Sequence, residues 1–437
     1  MGLSKKRFKN KKILIYGLGK SGISSFNYLK NNNIVKVYDD NKNRISKKFK
    51  RFSIIKNNIN KLKFDFVVIS PGINIRNCQL KNYLSKNSKI IITELDIFYL
   101  ENQNNFNITV TGTNGKSTVC KLLYDILKKT KKDVRLVGNI GKPPLYEKKI
   151  NKKTIFVIEV SSYQIEYSKF FKAKYGVILN ISPDHLERHG NFVNYAKTKF
   201  KLLNSQKKKT LSFCENNKKF LKYITNRNLK VIKVDTHLNK FINKKIKNLY
   251  FKSLNNQKNL AFVFSICNKL KININDIYNV VNSFKQLKYR QEIVLKRKKL
   301  IIINDSKSTS FSSTVNLLKS HKNIYWIVGG QPKQGDKFII EKKYFNNISA
   351  YVFGNNKTFF KKNFIGRIKF KLFDELKNCI NQIFLDIKKN KINNKQKLIL
   401  FSPSAASFDQ FQNFEDRGKY FNKIINKYKN NNKIYVR

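Results

Sequence analysis

The sequence predicts an α/β protein of three domains, and three observations carry that expectation. Short apolar runs alternate with helical stretches along the whole chain, the pattern of parallel strands joined by crossover helices. Two of those runs pass directly into glycine-containing loops that open a helix, at residues 17–22 and 112–118. A chain of 437 residues has room for about two to four domains, and the changes of pattern divide it at 1–103, 104–287 and 288–437.

In the first division, Lys12-Ile13-Leu14-Ile15-Tyr16 reads as a strand. It is followed by Gly17, Leu18, Gly19, Lys20, Ser21 and Gly22, a G-x-G-x-x-G loop, then a helix to about Asn31 and a strand at 35–40. This is a Rossmann-like opening. Asp39 stands twenty residues after Gly19, where a dinucleotide enzyme holds a ribose, so this segment alone also fits an NAD-dependent oxidoreductase. A third strand, 64–70, runs into Ser70-Pro71-Gly72-Ile73, a tight turn whose backbone could approach a ligand closely. A strand at 89–93 and a helix at 94–101 close the unit, and the polar stretch 102–107 reads as a linker.

The second division opens on the stretch around which the chain is organised. An apolar strand ending at Thr111 leads into Gly112, Thr113, Asn114, Gly115, Lys116, Ser117 and Thr118. The N–H groups of such a loop and the positive end of the next helix point at phosphate oxygens. Lys116 would reach the β- and γ-phosphates and Ser117 or Thr118 would ligate Mg2+, which makes this a P-loop-type ATPase domain. Val110 stands where the usual pattern has a glycine, so the loop is a shortened variant. A strand at 134–137 precedes Gly138-Asn139-Ile140-Gly141. Glu159 lies in an apolar strand, where a buried carboxylate needs a cation such as Mg2+ or hydrogen bonds from Asn or Ser. The strand 175–180 ends in Ile181-Ser-Pro-Asp184-His185-Leu-Glu-Arg-His189, at the strand end where open α/β sheets bind ligands. A helix at 192–203 carries Lys197 and Lys199, and Asn255, Asn256 and Asn259 open another that runs to about Leu270, as caps or as base contacts.

The third division repeats the alternation, with the stretches 300–309, 324–330 and 398–403 reading as parallel strands that end in polar, small-residue loops. Throughout, 91 Lys and Arg stand against 26 Asp and Glu, a formal charge of +65. The lysines are spread through every segment beside abundant Asn, Ile and Phe, as A/T-rich codons would produce. They form no nucleic-acid-binding stripe, and no nucleic-acid partner is expected. Cys78, Cys120, Cys214, Cys267 and Cys379 are dispersed without a C-x-x-C pair, the pattern of buried thiols in a reducing compartment. No apolar run is long enough for a signal peptide or a membrane span, so a soluble cytoplasmic protein is expected.

Together these motifs resemble the signatures of the Mur ligases, in the family's order and over nearly the whole chain. They are Thr111-Gly-Thr-Asn-Gly-Lys-Ser-Thr118, Gly138-Asn-Ile-Gly141, Glu159-Val-Ser-Ser-Tyr-Gln-Ile-Glu166, Asn180 to His189, and Asn304-Asp-Ser-Lys-Ser-Thr309. The last of these, with Ser402-Pro-Ser-Ala-Ala-Ser-Phe-Asp-Gln-Phe-Gln-Asn-Phe-Glu-Asp-Arg-Gly418, is similar to the member that adds D-glutamate. Asn255 departs from the family's usual His, and Gln331-Pro332 replaces a more familiar turn before Lys333.

The resemblance implies an ATP-dependent, ADP-forming ligase that acts on UDP-N-acetylmuramoyl-L-alanine and D-glutamate through an acyl phosphate, with a sister ligase adding a different amino acid as the alternative, and a monomer is expected. It implies that Gly17, Leu18, Gly19, Lys20, Ser21, Gly22, Asp39, Ser70, Pro71, Gly72 and Asn139 hold the UDP substrate rather than NAD. ATP falls to Gly112, Thr113, Asn114, Gly115, Lys116, Ser117, Thr118, Asn259, Arg290 and Asp305. D-Glutamate falls to Lys307, Thr309, Lys333, Ser407, Phe408 and Phe414. Lys116, Glu159, His185 and Lys199 are the implied catalytic residues. Two Mg2+ ions are expected on Ser117, Glu159, His185 and Lys199, the last as a CO2-derived carbamate.

Overall fold

The computed structural model describes residues 7–237, 240–333, 335–389 and 396–430. The described residues form three sheets, all but one of whose neighbouring strand pairs are parallel. They divide into two compact units.

The first unit comprises residues up to Pro183, 188–247 and 258–282. Its four-stranded sheet joins β1 (Lys12–Tyr16), β2 (Ile34–Tyr38), β3 (Phe66–Ile69) and β4 (Ile91–Ile92) in the order β2-β1-β3-β4. The strand expected at 89–93 is thus two residues long, because Ser88–Ile90 curl into a 3-10 turn first. Its six-stranded sheet joins β5 (Phe106–Thr111), β6 (Val134–Gly138), β7 (Ile155–Glu159), β8 (Tyr175–Ile178), β9 (Leu211–Glu215) and β10 (Lys230–Val234) in the order β10-β9-β8-β5-β7-β6. β5 is central because its apolar residues are covered on both faces, as buried parallel strands require. The helix Lys116–Lys129 covers one face with Val119, Cys120, Leu122, Leu123, Ile126 and Leu127, a stripe at helical spacing.

The polar stretch 102–107 does not behave as a linker. Asn105 is buried and donates from Nδ2 to Asn151 O at 2.8 Å and Thr154 O at 2.9 Å, and Asn107 is buried at the start of β5. Leu95, Ile97 and Phe98 of the helix Glu94–Glu101 share one apolar cluster with Phe156, Ile158 and Val160, and the Phe98 and Phe156 rings pack edge to face at 4.8 Å. A carboxylate reinforces that seam. Asp96 is fully buried, and its Oδ1 accepts from Ser168 Oγ at 2.7 Å and from the N–H groups of Lys169, Phe170 and Phe171 at 2.9, 2.7 and 3.0 Å.

The second unit comprises 184–187, 248–257 and the chain from Ser283. Its sheet joins β11 (Glu292–Lys296), β12 (Leu300–Asn304), β13 (Ile324–Gly329), β14 (Ile348–Phe353), β15 (Lys369–Phe373) and β16 (Lys397–Phe401) in the order β11-β12-β16-β13-β14-β15. β11 pairs antiparallel to β12, an edge strand that the sequence pattern did not announce. β13 and β16 are buried along their whole length. The five cysteines are free thiols, and all but Cys78 are buried. Among the described residues no helix is long and apolar enough to cross a membrane.

Candidate active site

β5 ends at Thr111, and the chain turns through Gly112 and Gly115 before the helix Lys116–Lys129 begins. Gly115 has φ +83°, a left-handed conformation that glycine adopts without strain, and any Cβ there would overlap Asn259 Oδ1. Asn259 is therefore packed against the loop. It is not the helix cap that its place in the sequence allowed, since its helix, Leu254–Lys269, begins five residues earlier. Two further residues fix the loop. Asn180 Oδ1 accepts Asn114 N–H at 2.9 Å while its Nδ2 donates to Asn114 O at 3.0 Å, and Thr113 Oγ1 lies 3.0 Å from the Tyr195 hydroxyl.

Lys116 folds back over this loop, with Nζ donating to Gly112 O and Thr113 O at 2.8 Å each. Lys199 is 2% exposed and donates to Gly112 O at 3.0 Å, so both lysines reach the same carbonyl. Ser117 and Thr118 are buried in the first helical turn. Ser117 Oγ donates to Glu159 Oε2 at 2.6 Å. Asn139 donates from Nδ2 to Glu159 Oε1 at 2.7 Å, the carboxylate oxygen that Ser117 does not hold.

Glu159 thus has both oxygens satisfied while 1% exposed, by the Ser and Asn donors that the sequence left open beside a cation. Hydroxyl and carboxylate oxygens are also the ligand types of a small, hard cation such as Mg2+. Among the described residues no group of three or more His, Cys, Asp or Glu side chains is gathered to hold a metal. An ion here would complete its shell with phosphate oxygens and water, as Mg2+ usually does.

In the four-stranded sheet, the glycine loop follows β1 directly. Gly17 has φ +95°, and a Cβ on Gly22 would overlap Gly17 O, so only glycine allows the loop to close so tightly. Ser70 Oγ donates to Gly17 O at 2.6 Å, joining the Pro71-Gly72 turn to the loop. Asp39 is buried, and its carboxylate accepts Leu18 N–H at 2.6 Å and Asn41 N–H at 2.9 Å, so its oxygens brace the loop's backbone. Leu18 is buried, Ser21 is half-buried and Lys20 is exposed at the start of the helix Lys20–Leu29.

The second unit gathers its candidates at the C-terminal ends of β12, β13 and β16. Asp305 follows β12, accepting Ser402 Oγ at 2.9 Å and Gln291 N–H at 3.1 Å. Burial pushes its pKa up to about 7, against those two hydrogen bonds and the Arg290 and Arg417 charges. Lys307 Nζ sits 4.1 Å from the centre of the Phe414 ring, and Arg290 Cζ lies 5.9 Å from it. Gln331 and Ala406 exchange backbone hydrogen bonds of 2.8 Å, bringing the loop of Lys333 beside that of Ser407 and Phe408. Lys333 forms an ion pair with Asp184. His185 carries φ +54° and lies against Asp184 and Glu187. Ser407 is buried, Phe408 is 70% exposed and Thr309 is half-buried.

Arg417, which sequence reasoning did not single out, is fully buried at this edge. It donates to Ser306 O at 2.8 Å and Ala405 O at 2.9 Å, tying together the loops after β12 and β16. Burial lowers its pKa to about 10, with the Asp409 and Asp305 charges opposing. Its only sequence signal was its place inside the 402–418 motif.

Comparison with known proteins follows the same lines. The Mur ligase middle domain matches residues 110–285, and the Mur ligase MurD-like N-terminal domain matches 11–92. The UDP-N-acetylmuramoylalanine–D-glutamate ligase of Rickettsia prowazekii (strain Madrid E) is 32% identical over 443 residues, covering 95% of this chain and 98% of its own. The protein of that name from Buchnera aphidicola is 34% identical over 447 residues, with the same coverage. Among solved structures, the MurF ligase of Thermotoga maritima in complex with ADP superposes with a TM-score of 0.55 at 15% identity, over 85% of this chain and 92% of that one. UDP-N-acetylmuramate-alanine ligase MurC of Thermotoga maritima gives 0.54 at 16%, over 97% and 100%. The fold is shared with these structures, and the chain belongs to the Mur ligase family.

Proposed function

We infer that this chain joins D-glutamate to the alanyl carboxylate of UDP-N-acetylmuramoyl-L-alanine at the expense of ATP, releasing ADP and phosphate in peptidoglycan precursor synthesis. The observation that carries the reading is the loop at 112–118, with Ser117 donating to a buried Glu159 at 2.6 Å, in a chain of which 95% aligns with a relative of that name. The alanyl carboxylate takes the γ-phosphoryl group of ATP. The amine of D-glutamate then attacks the acyl carbon, a C–N bond forms as the C–O bond to phosphate breaks, and the amine gives up a proton.

Each residue has a task in this scheme. The N–H groups of Gly112 and Gly115 and the ammonium of Lys116 hold the phosphates in line, an electrostatic role, while Thr113 and Asn114, whose N–H groups donate to Asn180 O and Oδ1, shape the loop around them. Mg2+, held through Ser117 and Glu159, would neutralise charge between phosphate and carboxylate. A second ion falls to His185 and Lys199. A carbamate on Lys199 would bring an anionic oxygen to the phosphate loop, where its ammonium now donates to Gly112 O. Thr118, Asn259, Arg290 and Asp305 serve ATP. Gly17, Leu18, Gly19, Lys20, Ser21, Gly22, Asp39, Ser70, Pro71, Gly72 and Asn139 serve the UDP substrate. Lys307, Thr309, Lys333, Ser407, Phe408 and Phe414 serve D-glutamate. We place the reaction in the cytoplasm, with the chain acting as a monomer.

ADP release, measured with each substrate omitted in turn, tests the reading. Release should require all three. Release with ATP alone at the full rate, or the oxidation of NADH by the chain, would overturn it.

A further inference from the structure

We propose that Arg188 is a positioning residue for the UDP substrate, holding the Pro71–Ile75 turn in its binding shape from behind. The proposal rests on the reading that this turn serves the UDP substrate. Arg188 belongs to the segment that carries His185, yet its side chain is directed at the turn that follows β3. Its Nη2 donates to Ile73 O at 2.6 Å and to Pro71 O at 3.4 Å. Those carbonyls lie on either side of Gly72, which is exposed and has open space where a side chain would be.

The guanidinium is held rigidly for this task. Its Nε donates to Glu166 Oε2 at 2.8 Å, with both side chains almost completely buried, and its Cζ lies 4.9 Å and 5.4 Å from the ring centres of Tyr163 and Tyr167. Tyr167 adds a second hold, because its hydroxyl accepts Ile75 N–H at 3.2 Å. A buried ion pair costs desolvation that packing alone would not recover, and such pairs are best attested where they fix one arrangement among several. Here that arrangement is the turn. Its front is tied to Gly17 O through Ser70, and its back to Arg188 and Tyr167. A planar guanidinium can serve Glu166, Ile73 O and Pro71 O together, which a lysine ammonium on the same stem would reach less completely.

Steady-state ADP release from the full chain separates this role from general stabilisation. R188A should raise the KM for the UDP substrate about tenfold to a hundredfold, leave the KM values for ATP and D-glutamate within about twofold, and change kcat less than the UDP-substrate KM. R188K should recover part of the loss. Y167F, which removes one hydroxyl and should fold, should shift the same KM in the same direction by a few fold. An unchanged UDP-substrate KM in both R188A and Y167F would overturn the proposal. So would equal rises for all three substrates, and if R188A does not fold, Y167F and E166Q decide by the same KM comparison. Absence of ADP release from the unaltered chain would instead overturn the functional reading itself.

Discussion

Ser117 and Glu159 meet across the end of β5 and β7, the hydroxyl donating to a carboxylate that is 1% exposed. Ser117→Ala leaves Glu159 Oε2 without that donor, a loss of about 1–3 kcal/mol in stability. If the same pair holds a cation for ATP, ADP release should fall by about a hundredfold or more in a variant that is still folded. Chemical denaturation and ADP release, measured together, check both. Full activity would remove Ser117 from the nucleotide site.

Gly115 and Asn259 make the loop sensitive to a single methyl group. Gly115→Ala brings a Cβ onto Asn259 Oδ1 in a left-handed backbone. The KM for ATP should rise at least tenfold, and UDP-substrate binding measured by calorimetry should stay within about twofold. Adding Asn259→Ala should not restore wild-type ATP use, since the backbone strain remains. An unaffected ATP KM in Gly115→Ala would show that the loop tolerates a different shape.

Asp96 ties the helix Glu94–Glu101 to residues 168–171 within the first unit, with one carboxylate oxygen accepting four donors. Asp96→Asn should cost about 3 kcal/mol, because the charge that strengthens those bonds is lost. Urea unfolding followed by fluorescence would read this as a lower midpoint. A midpoint equal to that of the parent chain would contradict the role.

Glu94 gives the fold a definite pH dependence. Burial pushes its pKa up to about 7, with the Ser21 and Ser24 hydroxyls and the Leu145 N–H opposing. The folded chain therefore keeps a proton that the unfolded chain releases near its ordinary value of about 4.3. Between those two values the folded state binds more protons, so this group's contribution to stability falls as pH rises through the window and is flat above about 7. Glu94→Gln should remove that slope. Relative to the parent, the variant should gain on the order of 3 kcal/mol between pH 4 and pH 8 in denaturation experiments. A difference that does not change with pH would show that Glu94 binds its proton equally in the folded and unfolded chains, without the shift that burial imposes.

The strand-to-helix loop at 112–118 was legible because Gly-Lys-Ser-Thr after an apolar strand constrains backbone, charge and hydroxyl at once. Glu159 was legible for a different reason, the cost of a carboxylate in a buried parallel strand. Residues that act through partners far away in the chain were harder to read. Asn180 braces Asn114 across 66 residues, and Arg188 reaches Ile73 across 115. Asn139 turned toward Glu159, and Asn105 into the interior, by contacts that no local spacing encodes. Composition misled at 102–107, where asparagines that resemble a linker satisfy buried carbonyls. β11 was missed because a single antiparallel edge strand leaves little trace in an otherwise parallel pattern.

The central claim is tested most directly by the mass of the product. The purified chain, incubated with ATP, Mg2+ and UDP-N-acetylmuramoyl-L-alanine, should convert the UDP substrate to a species heavier by one glutamyl residue when D-glutamate is supplied. One ADP should appear for each molecule converted, and L-glutamate or D-alanine should give little product. An unchanged UDP-substrate mass while ATP is consumed, or equal conversion with those other amino acids, would contradict the account.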